Sequence, residues 1–146
     1  MASPRERYPE KVTVEAVKNL LPGRFPGDLG IEPLSIEDHK TVGRIVVDER
    51  HLHPGGYVHG GVWTALADTV AAWATFRNIP PGADFTTVEL KLNVFRAGMV
   101  GDELVAEATP LHTGRSTVAL VVRIHKASEP ARLAAHFTLT QFVIQP

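Results

Sequence analysis

Cysteine is absent from the 146 residues of this chain, which excludes disulfide bonds, thiolate metal ligands and a cysteine nucleophile. A strong charge of either sign is also missing, because 15 Lys and Arg residues oppose 16 Asp and Glu residues. This balance gives no electrostatic reason to expect nucleic acid or an anionic membrane as partner. The amino end, MASPRERYPEK, contains no apolar stretch typical of a secretory signal, and no run reaches the length of a membrane span. These absences predict a soluble, cytoplasmic protein.

The composition is that of a globular protein, with 44% hydrophobic and 21% charged residues. We therefore expect a single domain over residues 1–146. Local signals in its first third predict, in order, a flexible tail (1–10), a short amphipathic helix ended by Pro-Gly (11–21), a loop (23–30) and a hairpin or two short strands (31–50).

A long helix is predicted from Gly60 to Phe76, where the breaker cluster NIPPG follows. Its residues are apolar or small on every side, and Asp68 is the one charged residue between Gly61 and Phe76. A helix that is apolar all round must be buried all round.

Four segments with period-two alternation follow this helix, and the turns between them are too short for crossover helices. They therefore predict an antiparallel sheet. A curved sheet wrapped around a central helix would bury that helix, and this order of elements describes an α+β protein with the hotdog fold. The residues expected to share a face in each strand are Val88, Leu90, Leu92 and Val94; Leu104, Ala106 and Ala108; Val118, Leu120, Val122 and Ile124; and Leu133, Ala135, Phe137 and Leu139.

The segment HPGGYVHGGVWTALADT, residues 53–69, resembles the PaaI-like acyl-CoA thioesterases of the phenylacetate-pathway type. The likeness continues through TTVELKLNVFR, HTGRSTVALVVRI and AHFTLTQF, and it covers roughly residues 40–142. This resemblance implies hydrolysis of an acyl-CoA thioester without a metal or redox cofactor, coenzyme A being part of the substrate. It also implies a homodimer or a dimer of dimers (a homotetramer).

The resemblance carries functional residues over position by position. Asp68 falls on the catalytic carboxylate of the family, and Gly60 on the amide of its oxyanion hole. Thr87, or Thr86, falls near a hydroxyl that orients water in some members. His53 stands where members often have Asn or Gln, which is a departure from the family pattern.

Three more residues are candidates for substrate binding. Gly61 follows Gly60 at the start of the helix, where backbone N–H groups lack partners and a missing Cβ lets a carbonyl approach. His59 either caps the helix or offers a second donor, and both roles stay open. Arg115, in the family-like TGRS turn, is a candidate for the CoA phosphates, the alternative being a solvated surface charge.

The spacing of Gly60 and Asp68 bears on assembly. Eight residues of helix rise about 12 Å, so a carbonyl held at Gly60 does not readily meet Asp68 of the same chain. A two-fold dimer in which Gly60 of one copy faces Asp68 of the other resolves this separation.

Several other roles remain open from sequence. Asp68 could be structural, and His51, His53 and His59 could ligate a metal with Asp48 or Glu49, although we favour catalysis and no metal. Asp68 acts either as general base or as nucleophile in our interpretation. The alternative function is a non-catalytic hotdog protein that binds acyl-CoA. Four aromatic residues are expected in the core, at a dimer contact or in an acyl pocket: Trp63, Trp73, Phe76 and Phe85.

Overall fold

A six-stranded antiparallel sheet and one long helix that contacts all six strands dominate the computed structural model, which describes residues 12–145. The predicted α+β hotdog fold is therefore confirmed, while the tail predicted at residues 1–10 lies outside the described residues. The helices are α1 (Val14–Leu20), α2 (Phe25–Asp28) and α3 (Gly60–Asn78). The strands are β1 (Glu32–Ile36), β2 (Thr41–Val46), β3 (Asp84–Val94), β4 (Glu103–Thr113), β5 (Thr117–Lys126) and β6 (Leu133–Ile144).

The strands lie in the order β1-β2-β4-β5-β6-β3, so β1 and β3 are the two edges of the sheet. The predicted hairpin is β1 with β2, and a 3-10 turn (Glu49–His51) leads from it into the loop before α3. Among residues 12–145, no helix combines the length and the apolar character that a membrane crossing requires.

The first two helices differ in how well the sequence predicted them. Helix α1 lies where it was expected, and the Thr13 side chain accepts a hydrogen bond from the Ala16 N–H at its start (3.2 Å). The loop predicted at residues 23–30 is wrong in part, because α2 forms one helical turn inside it. Pro26 lies in the first turn of α2, where its missing N–H costs nothing.

Helix α3 is not buried on all sides, contrary to the prediction. Most of its surface packs into the core, but Thr64, Asp68, Thr69 and Ala72 are partly exposed. These small or polar residues recur at helical spacing and form a strip that the sheet of the same chain leaves open. Asp68 therefore lies at the border between the core and a face that residues 12–145 do not cover.

The face predicted for β3 is also wrong in part. The pairing of β3 with β6 shifts between Thr87 and Glu89, so Val88 is the extra residue of a β-bulge and is 58% exposed. Residues 87 and 90 would point to opposite sides of a regular strand. The bulge instead brings Thr87 to the inner face with Leu90 and Leu92, while Val94 at the strand end stays exposed.

The turn before β4 is held by a carboxylate with two partners. Asp102 accepts a hydrogen bond from the Met99 N–H (2.9 Å) and pairs with the Lys126 ammonium (2.7 Å). Partial burial acts to raise the pKa of Asp102, but the hydrogen bonds and the charge of Lys126 outweigh it and lower that pKa. This Gly-Asp turn is a structural feature of the sheet.

Candidate active site

Asp68 is held by a threonine of the neighbouring edge strand. The Thr87 hydroxyl donates a hydrogen bond to Asp68 Oδ1 (3.0 Å), and both side chains are partly buried. Thr86, the other candidate, is exposed and forms no hydrogen bond to Asp68. Among the described residues no hydrogen bond reaches Oδ2 of Asp68, so one carboxylate oxygen is anchored and the other has no partner there.

Two residues that the sequence analysis missed lie behind Thr87. Gln141 Nε2 donates to Thr87 Oγ1 (3.3 Å), and the Thr75 hydroxyl donates to Gln141 Oε1. Both Gln141 and Thr75 are fully buried. The alternation of β6 that placed Leu139 on the inner face also places Gln141 there, and a polar residue in such a register is a signal that could have found it.

The start of α3 presents one bare backbone donor. His59 is the N-cap, and its Nδ1 accepts the Gly61 N–H (2.8 Å). The Gly61 amide is therefore engaged, and its predicted contact with substrate stays a prediction. The Gly60 N–H has no partner among residues 12–145, and a Cβ built on Gly60 would meet nothing within 4 Å. Of the two amides, that of Gly60 is the one left open for a ligand.

The loop before α3 is tied down at several points. The Val58 N–H bonds to the Gly98 carbonyl and the His59 N–H to the His51 carbonyl, both at 2.9 Å. His53 Nδ1 accepts the Gly55 N–H (2.9 Å), and a Cβ on Gly55 would come within 2.6 Å of the His53 ring. His53 forms no hydrogen bond to Asp68 or Thr87 in the described chain, so its catalytic role stays a prediction.

His51 has a structural role that differs from those of the other two histidines. It is fully buried, its Nδ1 accepts the Asp48 N–H (2.9 Å), and its Nε2 bonds to the Leu29 carbonyl (2.8 Å). Because Nδ1 accepts, Nε2 is the protonated nitrogen. Both ring nitrogens are thus engaged, and no group of three or more His, Asp or Glu residues suited to a metal occurs in residues 12–145.

Arg115 lies in the turn between β4 and β5, and its side chain is exposed. Its carbonyl accepts a hydrogen bond from Gln145 Nε2 (2.7 Å), while its guanidinium forms no ion pair in the described part of the chain. The structure does not join Arg115 to Asp68 or Gly60 by any hydrogen bond. Binding of CoA phosphates there remains a prediction.

A cavity of about 590 Å³, lined by both apolar and polar residues, lies between α1, α2, the end of α3 and the start of β3. Trp73, Phe76 and Phe85 line it, and the last two rings meet edge to face with centroids 4.7 Å apart. Asp68 is not among its lining residues. Phe85 precedes Thr87 by two residues on the same strand face, a distance of about 7 Å. Trp63, by contrast, is a core residue with 2% exposure.

Comparison with known proteins decides the family. Residues 55–131 match the model of the Thioesterase superfamily. The chain belongs to this superfamily. It is 32% identical over 101 residues to a 1,4-dihydroxy-2-naphthoyl-CoA hydrolase of Listeria monocytogenes, which covers 69% of this chain and 81% of the relative.

Two solved structures extend the match to the fold of nearly the whole chain. Thioesterase HI1161 of Haemophilus influenzae superposes with a TM-score of 0.86 at 27% identity and covers 95% of each chain. The Escherichia coli PaaI protein superposes with a TM-score of 0.73 at 25% identity, over 82% of this chain and 83% of its own. The resemblance to PaaI-like hotdog thioesterases is confirmed, and so is the prediction of an enzyme. The protein is a thioester hydrolase.

Proposed function

We propose that this protein hydrolyses an acyl-CoA thioester, R-CO-S-CoA, to a free acid and CoA, with Asp68 as the reacting carboxylate. The observation that carries the proposal is the state of Asp68: one oxygen is anchored by Thr87, and the other is free at a partly exposed face. The free oxygen is open to a water molecule or a thioester carbonyl, while Thr87 fixes the orientation of the carboxylate. The proposed reaction uses no metal or redox cofactor.

The free oxygen of Asp68 is compatible with two mechanisms of thioester hydrolysis. In the first, Asp68 takes a proton from water as the water oxygen adds to the thioester carbon, and collapse of the adduct breaks the C–S bond. In the second, Asp68 attacks the carbon itself, CoA leaves as thiolate, and water then cleaves the mixed anhydride. The CoA thiolate ends by taking a proton in either route.

Gly60 supplies the oxyanion hole in this proposal. Its unpartnered N–H lies at the positive end of the α3 dipole, and no side chain obstructs the approach of a carbonyl oxygen. His59 supports this arrangement, because Nδ1 accepts the Gly61 N–H and leaves Nε2 as the protonated nitrogen of the neutral ring. Nε2 is thus a second donor beside the helix start, suited to a phosphate or carbonyl oxygen.

The site requires a second copy of the chain. Gly60 and Asp68 are separated by about 12 Å along α3, so a single thioester does not span them within one subunit. In a two-fold dimer, Gly60 of one copy and Asp68 of its partner would form each site. The family resemblance extends this to a dimer of dimers.

The β3 edge of the sheet supports such a dimer. This strand has 11 residues and, within residues 12–145, pairs with β6 alone, so its other edge is open. Val88, Val94 and the following Phe95 are exposed along it to 58%, 40% and 61%. A long edge strand leaves a row of backbone N–H and C=O groups unpaired and is therefore a ready surface for pairing with another chain. Since Thr87 belongs to the same strand, a partner bound there would lie close to Asp68.

We propose that the acyl group is aromatic or a medium-length chain. The cavity of about 590 Å³ beside Phe85 is large enough for either group and is lined by three aromatic rings. The Listeria relative, named a 1,4-dihydroxy-2-naphthoyl-CoA hydrolase, favours the aromatic class. Arg115 is proposed to meet the CoA phosphates at the exposed end of the substrate.

The proposal is tested by thiol release from a panel of acyl-CoAs, comparing the wild type with Asp68→Asn. The panel contains phenylacetyl-, benzoyl-, 1,4-dihydroxy-2-naphthoyl- and octanoyl-CoA. Because the protein has no cysteine, it contributes no signal to a thiol-reactive dye. We expect an aryl or medium-chain thioester to be hydrolysed, and Asp68→Asn to lower kcat/KM by about 10²-fold or more.

The matched control is Asp28→Asn, the same substitution on α2. It is expected to keep wild-type activity. An Asp68→Asn variant as active as the wild type would overturn the role of Asp68. A wild type that binds acyl-CoA without releasing thiol would instead support the acyl-CoA-binding alternative.

A further inference from the structure

A series of four hydrogen-bonded side chains links α3 to two strands and returns to α3. It runs from Thr75 through Gln141 on β6 and Thr87 on β3 to Asp68. Thr87 and Gln141 are direct cross-strand partners. Thr75 follows Asp68 by two helical turns and therefore lies on the same side of α3. We name this set the Thr75–Gln141 relay.

Burying the polar side chains of Gln141 and Thr75 costs free energy, which their hydrogen bonds must offset. Gln141 and Thr75 have no exposed surface, and β6 is otherwise apolar on its inner face. A buried amide without hydrogen bonds is strongly unfavourable, whereas one with both ends paired is not. Gln141 satisfies its oxygen at Thr75 and its nitrogen at Thr87. The polar pair thus spans the core between α3 and the strand that anchors Asp68.

The direction of the hydrogen bonds is uniform along the relay. Thr75 donates its single hydroxyl proton to Gln141 Oε1, and Gln141 Nε2 donates to Thr87 Oγ1. The Thr87 oxygen is then occupied as an acceptor while its own proton remains for Asp68 Oδ1. Each donor in the series therefore determines which way the next group points.

The hydrogen bond from Thr75 fixes the orientation of the Gln141 amide. Without the Thr75 hydroxyl, that amide is free to rotate by a half-turn and offer Oε1 to Thr87. The Thr87 hydroxyl would then donate to Gln141, and Asp68 Oδ1 would lose its partner. The amide itself does not touch the face on which Asp68 is exposed.

We infer that Gln141 and Thr75 are positioning residues that hold the Thr87 hydroxyl on Asp68 Oδ1 and so keep Oδ2 free for the reaction. This inference rests on the proposed function of Asp68. It holds whether Asp68 acts on water or on the carbonyl carbon, because both routes need a defined free oxygen. It assigns the buried face of β6 a role in the chemistry besides packing.

The test compares Thr75→Val, which removes the hydroxyl at constant shape, with Thr75→Ser, which keeps it. We expect Thr75→Val to lower kcat about tenfold, the effect of one lost hydrogen bond that orients a reacting group. We expect KM to change less than about twofold, because Thr75 does not reach the substrate. Thr75→Ser is expected to restore most of kcat.

Thr41→Val is the matched control. Thr41 is also fully buried, but its hydroxyl has no hydrogen-bond partner among residues 12–145. The same substitution there is expected to leave kcat unchanged. Equal losses in the two valine variants would overturn the inference, because the loss would then follow from replacing any buried threonine by valine.

A double-mutant comparison identifies the route of the effect. In a Thr87→Val background, Thr75→Val is expected to add no further loss of kcat, since the relay acts through Thr87. A full tenfold additional loss would contradict the relay. Should Thr75→Val not fold, Gln141→Leu is used instead, because it removes the donor to Thr87 without leaving a buried amide unpaired, and it is expected to lower kcat about tenfold as well.

An NMR measurement keeps this inference separate from the proposed function. The Gln141 side-chain amide resonance, assigned by its absence in Gln141→Leu, is expected to exchange slowly with solvent and to shift in Thr75→Val and Thr87→Val. A fast-exchanging, unshifted resonance would overturn the relay even in an active enzyme. A protected resonance in a protein that Asp68→Asn does not impair would retain the relay geometry and reject the proposed chemistry.

Discussion

The start of α3 and its middle are two halves of one candidate site, built in different ways. At the start, Gly60 and His59 are exposed, and the hydrogen bonds of His59 stay within the short segment from His51 to Trp63. In the middle, Asp68 depends on partners 19 residues away in β3, which depend in turn on a strand that follows much later. The start of the helix is therefore organised by contacts that are local in sequence, whereas the surroundings of Asp68 are organised by contacts between distant elements.

This difference explains what each half contributes. A helix start offers backbone donors wherever glycine leaves it uncovered, so its geometry needs little support. A carboxylate needs its rotamer and its hydrogen bonds fixed by neighbours that belong to other elements. In the proposed reaction neither part acts alone, because about 12 Å of helix separates Gly60 from Asp68.

The largest effect is expected from removing the donor at the start of α3 with Gly60→Pro. Proline is well suited to the first helical position, and the preceding His59 has φ −63° and ψ 141°, values compatible with a following proline. The substitution therefore deletes the N–H with little change of backbone. We expect kcat to fall by about 10²–10³-fold in the thiol-release assay, as for other lost oxyanion donors.

Gly60→Ala is the matched control, because it keeps the N–H and places its Cβ where nothing lies within 4 Å. It should lose far less activity than the proline variant. Equal losses would mean that bulk at this position, and not the missing donor, lowers the rate.

The next largest effect is expected in an experiment that tests whether Gly60 and Asp68 of one site belong to different copies of the chain. Chains carrying Gly60→Pro and Asp68→Asn are co-expressed with different tags, and the mixed oligomer is isolated by tandem affinity. Each mixed pair would contain one intact site and one doubly altered site, so we expect about half of the wild-type activity. Each parent alone should remain near 1% or below.

A mixed oligomer as inactive as its parents would contradict the cross-subunit site. Light scattering provides the accompanying measurement, since the wild type is expected to be at least a dimer. Full activity in a monomer would reject the same model.

A smaller effect is expected from His53→Asn, in the loop before the helix start. The His53 ring accepts the Gly55 N–H, and an asparagine side chain accepts a hydrogen bond from the residue two positions on equally well. We expect kcat/KM to stay within about threefold of the wild type, while His53→Leu, which has no acceptor, should lose more. Loss of all activity in His53→Asn would show that the imidazole has a chemical role of its own.

Prediction from sequence succeeded where a repeating pattern carried the signal. The alternation of β4, β5 and β6 and the apolar character of α3 placed those elements correctly. It failed at Val88, because a bulge adds one residue and reverses the alternation without a local mark in the sequence. It also missed Gln141, whose partners are brought to it by the pairing of β6 with β3 and by the packing of α3 on the sheet.

The sequence by itself determined α1, α3 and the strands, the two glycines at the start of α3 and the single carboxylate in its middle, because these depend on local spacing and residue type. Only the tertiary structure decided that Thr87 rather than Thr86 meets Asp68, that Gln141 and Thr75 lie behind it, and that α3 keeps one open strip. These facts depend on strand register and on how far the sheet extends around the helix. Both arise from contacts between residues far apart in the chain, which no local pattern specifies.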